Sequence, residues 1–325
     1  MVSFYEKMMT KQKMMRTVLI ALLPILLYAT YLYGLRVLAL TLVNILVAVA
    51  VEYISETKIF KRKKVSEAAL VSAVLYTMTL PPAVSFWISA LGIAFAIFFG
   101  KMVFGGFGRN VFNPAIVGRA FIYINFPQPL TIQWNSVAQG RLGGFTTWLS
   151  PIIDEASTAT PMLLFRNAGQ TTPLQNLFIG NISGSIGETS ALLIILAGIY
   201  LIYKKVASWE IMAATLMGFA LASLGFNLAG VEAVSDPIFT LLSGGALFGS
   251  VFMATDPISA PRQQASKWIY GILIGLVAVI IRSFALFSGG MMFAILMGNT
   301  FAPIVDYVIA KRKKAKAQAK KEVSA

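Results

Sequence analysis

Apolar runs recur along the whole 325-residue chain and are separated by short polar or basic segments. A helix needs about 20 mainly apolar residues to cross a bilayer, and many of these runs approach that length. The pattern therefore predicts an all-α polytopic membrane protein. The predicted membrane segments lie near residues 17–34, 36–53, 66–80, 83–104, 111–124, 188–204, 209–227, 238–254, 268–285 and 290–309.

Some of the ten predicted segments are short, and others end at a proline. The prolines follow directly at Leu80-Pro81-Pro82, Asn113-Pro114 and Thr255-Asp256-Pro257. Irregular backbone is tolerated at membrane depth only where protein or a cavity covers it. These positions therefore predict broken helices or half-helices that line a buried site.

Two short matches indicate an internal repeat. Residues 79–81 resemble 255–257, and residues 110–114 resemble 299–303. Because each half would hold five spans, an odd number, the second half is expected to be inverted relative to the first. The resulting division of the chain is an N-terminal half (1–124), a long loop (125–187), a C-terminal half (188–309) and a basic tail (310–325).

The charge distribution supports the membrane interpretation. The net charge is +14 and the mean hydropathy is +0.75, and the basic residues cluster beside apolar runs. This placement is typical of cytoplasmic loops and does not favour nucleic-acid binding. With the N-terminus inside, both termini are cytoplasmic and the loop 125–187 is extracytoplasmic. The basic residues then left outside are Arg36, Arg141, Arg166 and Arg282.

The chain contains no cysteine and no histidine. This composition excludes thiolate-bound iron–sulfur clusters, histidine-ligated haem and zinc sites built on these ligands within the chain. A redox role would therefore need a carrier without soft ligands, such as a flavin or a quinone.

Four polar residues at or near the predicted helix breaks could carry chemistry. Arg109, in a glycine-rich turn, either binds a phosphate or carboxylate or is an ordinary inner-loop arginine. Asn113 can satisfy exposed backbone at a break. Arg119 lies inside an apolar span, where ionisable residues are usually functional, although it could instead snorkel to the interface. Asp256 either contacts a moving cation or caps the next helical segment.

The segment DEASTATPM, at 154–162, is rich in hydroxyl groups and lies in the long loop. A threonine hydroxyl is a weak nucleophile without a base, and no histidine is present to activate it. Two interpretations stay open on residue chemistry alone: a plain loop, or a segment that a separate enzyme modifies.

Three stretches together resemble one family: GRNVFNPAIVGRAF at 108–121, GNISGSIGETS at 180–190, and GGALFGSVFMATDPISAP at 244–261. They look like the D subunit of the Rnf-type ion-translocating ferredoxin:NAD⁺ oxidoreductase and the B subunit of the Na⁺-translocating NADH:quinone reductase. The chain length favours the former. The resemblance implies ten transmembrane helices in two inverted five-helix repeats, with a fold similar to that of urea transporters.

The resemblance also implies FMN attached to a threonine through a phosphoester. The family's target pattern, Asp-x-x-Ser/Thr-Gly-Ala-Thr, corresponds to Asp154, Ser157, Ala159 and Thr160, with Thr160 modified. Thr158 stands where the pattern has glycine, which makes it a minor alternative acceptor.

A second, non-covalent flavin, riboflavin, is implied within the membrane. Asn113 and Asp256 are suggested neighbours for it. Arg109 or Arg119 is suggested to stabilise a reduced flavin.

The function implied is an electron-relay subunit between ferredoxin and NAD⁺, coupled to Na⁺ or H⁺ translocation across a prokaryotic cytoplasmic membrane. The chain would not be catalytic alone. Its implied partners are iron–sulfur and NAD-binding subunits, a second FMN-carrying subunit and a flavin transferase. The alternatives are a B-type subunit of a quinone reductase and, in another class, a urea-channel-like solute transporter without a redox role.

Overall fold

The structure, a computed structural model, describes residues 8–131, 134–138, 142–148, 159–285 and 290–324. These residues are mostly helical, as predicted. Strand structure within them is limited to a parallel pair in which β1, Met9–Thr10, lies beside β2, Val65–Ser66. This pair ties the N-terminal segment to the start of the third helix.

The helices of the N-terminal half are α1 (Lys13–Tyr33), α2 (Arg36–Lys58), α3 (Glu67–Met78), α4 (Phe86–Ile97, continued by a π turn at Phe98–Met102) and α5 (Pro114–Asn125). The long loop contains α6 (Pro127–Thr131), a 3₁₀ turn (Gly143–Thr146), α7 (Pro161–Ala168) and α8 (Leu174–Ile179). The C-terminal half contains α9 (Ala191–Tyr203), α10 (Trp209–Leu228), α11 (Pro237–Leu242), α12 (Ala246–Phe248, continued by a π turn at Gly249–Met253), α13 (Gln264–Phe284) and α14 (Gly290–Ser324).

Among the described residues, five helices are long and apolar enough to cross a membrane: α1, α2, α10, α13 and α14. All ten predicted segments contain helix, and the breaks fall at the prolines, as expected. The segment predicted at 238–254 is not one span, because it is interrupted at Gly244 and Gly245, whose φ angles are 59° and 72°. The fold is thus that of a polytopic membrane protein.

The packing of the two halves is similar. Helix α2 packs on α4 as α10 packs on α13, and α4 contacts α5 as α13 contacts α14. Helices α1 and α9, the first of each half, also contact each other. Two related halves would give this pattern. The inverted relation of the halves and the likeness to urea transporters stay predictions.

The helices begin and end at two ends of the bundle. We call the end with Arg16, Glu67 and Asp306 the tail end, and the end with Tyr33, Thr147 and Ile182 the loop end. At the tail end, Arg16 binds Glu67, and Asp306 of α14 accepts backbone N–H groups at the start of α13. At the loop end, the Leu35 N–H donates to the Thr147 carbonyl and the Tyr33 hydroxyl donates to the Ile182 carbonyl. Which membrane side each end faces stays a prediction from the charge pattern.

Lys101, in the π turn after α4, is a buried cation. It is only 1% exposed. Its Nζ lies 2.5 Å from Glu52 Oε2 and 2.7 Å from Ser66 Oγ, and Glu52 Oε1 accepts the Ser66 N–H at 2.9 Å. This cluster joins α2, the π turn after α4 and the start of α3. Buried charges are tolerated only when they are paired and hydrogen-bonded in this way.

The cluster generates a stability prediction. Replacing Lys101 by methionine leaves Glu52 buried and unpaired, so we expect a loss of about 3–5 kcal/mol in the free energy of unfolding. A double variant, Lys101→Met with Glu52→Leu, should recover most of this loss because no lone charge remains. Chemical unfolding in detergent measures both.

Lys267→Met is the matched control, because its pair with Glu210 spans 3.6 Å and both side chains keep contact with solvent. We expect a loss of at most about 1 kcal/mol there. Equal losses for Lys101→Met and Lys267→Met would contradict the role assigned to the buried cluster.

Candidate functional site

Thr160 lies at the start of α7, where it is the N-cap residue. Its Oγ1 accepts a hydrogen bond from the Leu163 N–H at 3.3 Å, and Pro161 is the first residue of the helix. Threonine at the N-cap and proline at the first helical position are both favoured at a helix start. The local sequence therefore holds this hydroxyl at a defined point, and the residue is half-buried.

The rest of the predicted attachment motif is only partly visible. Ala159, directly before Thr160, is half-buried. Asp154, Ser157 and Thr158 lie outside the described residues, so their predicted roles stay predictions.

Thr160 lines a cavity at the loop end, which we call the Thr160 cavity. Its walls include Arg119 of α5, Glu188 and Trp134. Met291 and Met292, at the start of α14, add flexible apolar surface to the same walls. Residues far apart in the sequence thus surround one hydroxyl with a cation, an anion and apolar side chains.

Arg119 and Glu188 form the charged part of this cavity. Arg119 Nη1 lies 3.5 Å from Glu188 Oε1, and both side chains are largely buried, at 12% and 17% exposure. The Nε of Arg119 is buried and has no hydrogen-bond partner within the described part of the chain. An unsatisfied buried donor is costly, so this N–H is available to an acceptor. Arg119 is therefore held inside the protein and does not snorkel.

The same pair also lines a smaller neighbouring cavity, together with Thr79, Met253 and Ile295. Arg119 and Glu188 therefore lie between the Thr160 cavity and the interior of the bundle. A change of charge on one side of the pair acts on the other side across a short distance, where the low dielectric strengthens it.

A second, mainly apolar cavity of about 60 Å³ lies at the tail end. Its polar lining residues include Lys101, Asn110, Asn113 and Asp256, and Phe107 and Phe252 belong to its apolar lining. We call it the tail-end cavity.

Asn113 connects this cavity to three helices. Its side chain caps α5 by accepting the Ala115 N–H at 3.0 Å and donates to the Met253 carbonyl at 3.3 Å. Its own N–H donates to Asn299 Oδ1 at 3.2 Å. The two motifs noted as a weak repeat, 110–114 and 299–303, therefore meet in space through this hydrogen bond.

Asp256 closes a turn and does not cap the next helix, which begins at Gln264 with Gln263 as its N-cap residue. Its carboxylate accepts Ser259 Oγ at 2.7 Å and the Ser259 and Ile258 N–H groups at 3.3 and 3.5 Å. These contacts stabilise the turn after Thr255-Asp256-Pro257. A place on an ion path stays a prediction for this residue.

Arg109 lies outside both cavities. It is exposed in the loop between α4 and α5, beside Gly105. That loop turns through Gly105, Gly106 and Gly108, with φ angles of 104°, 93° and 85°. The structure thus groups Thr160 with Arg119, and Asn113 with Asp256, and leaves Arg109 apart.

Sequence reasoning did not single out Glu188, although the residue lies in the family-like stretch 180–190. In the structure, a Cβ on Gly245 would meet the Glu188 carboxylate, and the φ angle of 72° at Gly245 also favours glycine there.

Comparison with known proteins shows the family of this chain. The model of the NQR2, RnfD, RnfE family matches residues 2–315. This chain belongs to that family. Its relatives include the B subunit of the Na⁺-translocating NADH-quinone reductase of Pseudomonas aeruginosa strain LESB58, which is 38% identical over 264 residues, covering 77% of this chain and 62% of the relative.

The corresponding protein of Yersinia pestis is 37% identical over 273 residues, covering 80% of this chain and 64% of the relative. The chain therefore matches less than two thirds of the length of these relatives. The resemblance inferred from three sequence stretches is confirmed.

Those three family-like stretches surround the two cavities. The stretch 108–121 carries Asn113 and Arg119, and 180–190 carries Glu188. The stretch 244–261 supplies Gly244 to the Thr160 cavity and Asp256 to the tail-end cavity.

The bonds of Asn113 generate a second prediction. Asn113→Ala removes both the helix cap and the links to Met253, so we expect a loss of about 0.5–2 kcal/mol from the cap alone and more from the lost contacts. Asn125→Ala, at the other end of α5, is the control because its side chain donates only to Phe121 within the same helix. Thermal unfolding in detergent should rank Asn113→Ala well below Asn125→Ala; the reverse order would refute the assigned role.

Proposed function

We propose that this chain is the D-type membrane subunit of an Rnf-type complex, in which FMN attached to Thr160 relays electrons between ferredoxin and NAD⁺ during Na⁺ or H⁺ translocation. The observation that carries the proposal is that Thr160 and the buried cation Arg119 line one cavity. The family and the names of its Na⁺-translocating relatives support the ion-coupled redox role.

The residues of the Thr160 cavity fit a phosphate-linked flavin. Thr160 supplies the hydroxyl, at the start of a helix where partial positive charge favours an anion. Arg119 supplies a guanidinium with an unused buried N–H for a phosphate or ring acceptor. Trp134, Met291 and Met292 supply apolar and polarisable surface for a ring system. When bound, FMN supplies electron transfer, which this chain cannot provide through cysteine- or histidine-held metals.

Charge coupling follows from the position of the Arg119–Glu188 pair. Both side chains line the Thr160 cavity and its interior neighbour, where Arg119 can neutralise negative charge and Glu188 balances Arg119. Negative charge added in the Thr160 cavity offsets the positive charge of Arg119. The Glu188 carboxylate is then less compensated and attracts a cation more strongly. This gives the chain's own residues a means to link electron transfer to ion movement.

The tail-end cavity is the place we propose for non-covalent riboflavin. Asn110, Asn113 and Asp256 present amide and carboxylate groups there, which match the hydrogen-bonding edge and ribityl hydroxyls of a flavin. Phe107 and Phe252 offer aromatic surface beside them. The apolar remainder of the lining suits a ring system in character, and the cavity of about 60 Å³ has to widen to admit one.

We place the chain in a prokaryotic cytoplasmic membrane, with both termini cytoplasmic and the loop 125–187 outside. In this orientation Thr160 is accessible to an extracytoplasmic flavin transferase. Iron–sulfur and NAD-binding subunits and a second FMN-carrying subunit complete the redox chain.

A B-type subunit of a Na⁺-translocating NADH-quinone reductase is the second candidate, because curated relatives carry that name. The two candidates share the Thr160 prediction and differ in the electron partner. An assay of the assembled complex with NADH and either ferredoxin or a quinone as electron acceptor separates the two candidates. A urea-channel-like transporter has no use for attached FMN.

The attachment prediction is direct. When the chain is co-expressed with the transferase, its band in a denaturing gel should fluoresce as flavin, and Thr160→Asn should abolish the signal. Asparagine keeps the helix cap, so the fold at α7 is retained while the hydroxyl is lost. Thr160→Ser should keep the fluorescence signal because serine keeps both the helix cap and the hydroxyl.

Thr158→Val is the control for the alternative acceptor and should fluoresce like the wild type. Undiminished flavin fluorescence in Thr160→Asn would refute the proposed attachment site.

The role of Arg119 generates a further prediction. Arg119→Gln should make the midpoint potential of the Thr160-linked flavin more negative, by the equivalent of about 1.5–3 kcal/mol, because a charged donor is lost beside it. Arg166→Gln is the matched control, since Arg166 is exposed on α7, six residues after Thr160. Redox titration of the flavin absorbance measures both, and an equal potential in the two variants would remove Arg119 from the site.

A further inference from the structure

Arg282 lies in the last turn of α13 and is only 3% exposed. Its guanidinium donates to the carbonyl oxygens of Thr240 at 3.2 Å and Ser243 at 3.3 Å, and also to that of Gly244. The group lies 5.1 Å above the ring of Phe219 of α10. One side chain therefore holds α10, α13 and the segment after α11 together.

These carbonyls come from the C-terminal end of α11 and the turn that follows it. Carbonyl groups at a helix C-terminus lack intrahelical partners, and a cation there interacts favourably with the helix dipole. The planar guanidinium presents several donors at fixed angles, which a lysine cannot do. Arg282 thus replaces the water that would satisfy these groups outside a membrane.

The turn held by Arg282 packs closely against Met162 and Glu188, two residues that line the Thr160 cavity. Gly244 and Gly245 are both left-handed, and Gly244 lines the cavity. A Cβ on Gly244 would lie 2.8 Å from Met162 Cγ, and one on Gly245 would lie 2.4 Å from Glu188 Oε1. Met162 follows Thr160 by two residues, and Glu188 is the partner of Arg119.

We propose that Arg282 is a positioning residue for the flavin site: it holds the Gly244–Gly245 turn that sets Met162 and Glu188, and through them Thr160 and Arg119. Arg282 is absent from the residues that line the cavity, so it acts through the turn. The inference rests on the proposed function of Thr160.

Arg36 provides a control with nearly the same local chemistry. It is 4% exposed, and its guanidinium donates to the carbonyls of Pro82, Ala83 and Val84 and lies 4.3 Å above the ring of Phe86. It therefore holds another break at the loop end. None of these residues lines the Thr160 cavity.

The test compares Arg282→Lys with Arg36→Lys in the full-length chain, co-expressed with the transferase and purified in detergent. Three quantities are measured: gel fluorescence of the attached flavin, thermal stability, and the visible circular dichroism and midpoint potential of that flavin. Subtracting the spectra of Thr160→Asn isolates the flavin at Thr160 from any other.

Both lysine variants should lose thermal stability, because the compact ammonium group cannot reproduce the fixed, planar set of donors that the guanidinium presents to the three carbonyls. Only Arg282→Lys should change the circular dichroism and potential of the attached flavin, which should still be present. Unchanged flavin signals in Arg282→Lys, or equal changes in Arg36→Lys, would show that Arg282 acts only on stability and would overturn the proposal.

Gly244→Ala is the second variant and keeps the test decisive if Arg282→Lys does not accumulate. It leaves Arg282 in place but forces the turn away from Met162, so the flavin signals should change as in Arg282→Lys. Unchanged signals in Gly244→Ala would equally overturn the proposal. A wild-type chain without flavin fluorescence would instead reject the proposed function itself, which separates the two failures.

Discussion

Inside a bilayer no water is available to satisfy backbone polar groups, so every interruption of a helix needs a partner from the protein. This constraint explains the positions of most buried polar side chains in the fold. Asn113 caps the start of α5 and binds the Met253 carbonyl, and Arg36 and Arg282 each serve three carbonyls at a break. The cavities lie beside these interruptions because unwound backbone and its polar partners cannot pack as closely as continuous helices.

Two buried cations, Lys101 and Arg282, hold segments beside helix breaks at the two ends of the bundle. Lys101, in the π turn after α4, reaches Ser66 directly before α3, and Arg282, at the end of α13, reaches Ser243 and Gly244 shortly before α12. Their other partners differ: Glu52 of α2 pairs with Lys101, whereas Phe219 of α10 lies under Arg282. A closed ion pair thus stabilises the tail end, while at the loop end a cation bound to neutral groups holds a turn of the proposed flavin site. The charge of the buried cation is therefore compensated by a carboxylate at the tail end and only by neutral groups at the loop end.

The proposed function depends on how charge is distributed around Thr160. Arg119 pairs with Glu188 through Nη1, while its Nε–H has no acceptor among the described residues. The charge of Arg119 is therefore only partly compensated. This charge distribution is what the proposed binding of a phosphate-linked flavin requires. The interior neighbour of the pair, lined by Met253 and Ile295, extends the site toward the middle of the bundle. An electron carrier and an ion path can thus influence each other through one pair of side chains.

Hydropathy, proline positions and local motifs act over a few residues, so the membrane class, the helix breaks and the family could be predicted from the amino-acid sequence. It also singled out Thr160 and Arg119 without showing that they share a cavity. The folded chain was needed to show that Lys101 is buried with Glu52, that Gly244 and Gly245 divide a predicted span, and that Arg282 binds the carbonyls of the turn at Gly244. These outcomes depend on contacts between residues far apart in the chain, and the hydropathy of a cation is the same in a loop as in a buried position beside its partners.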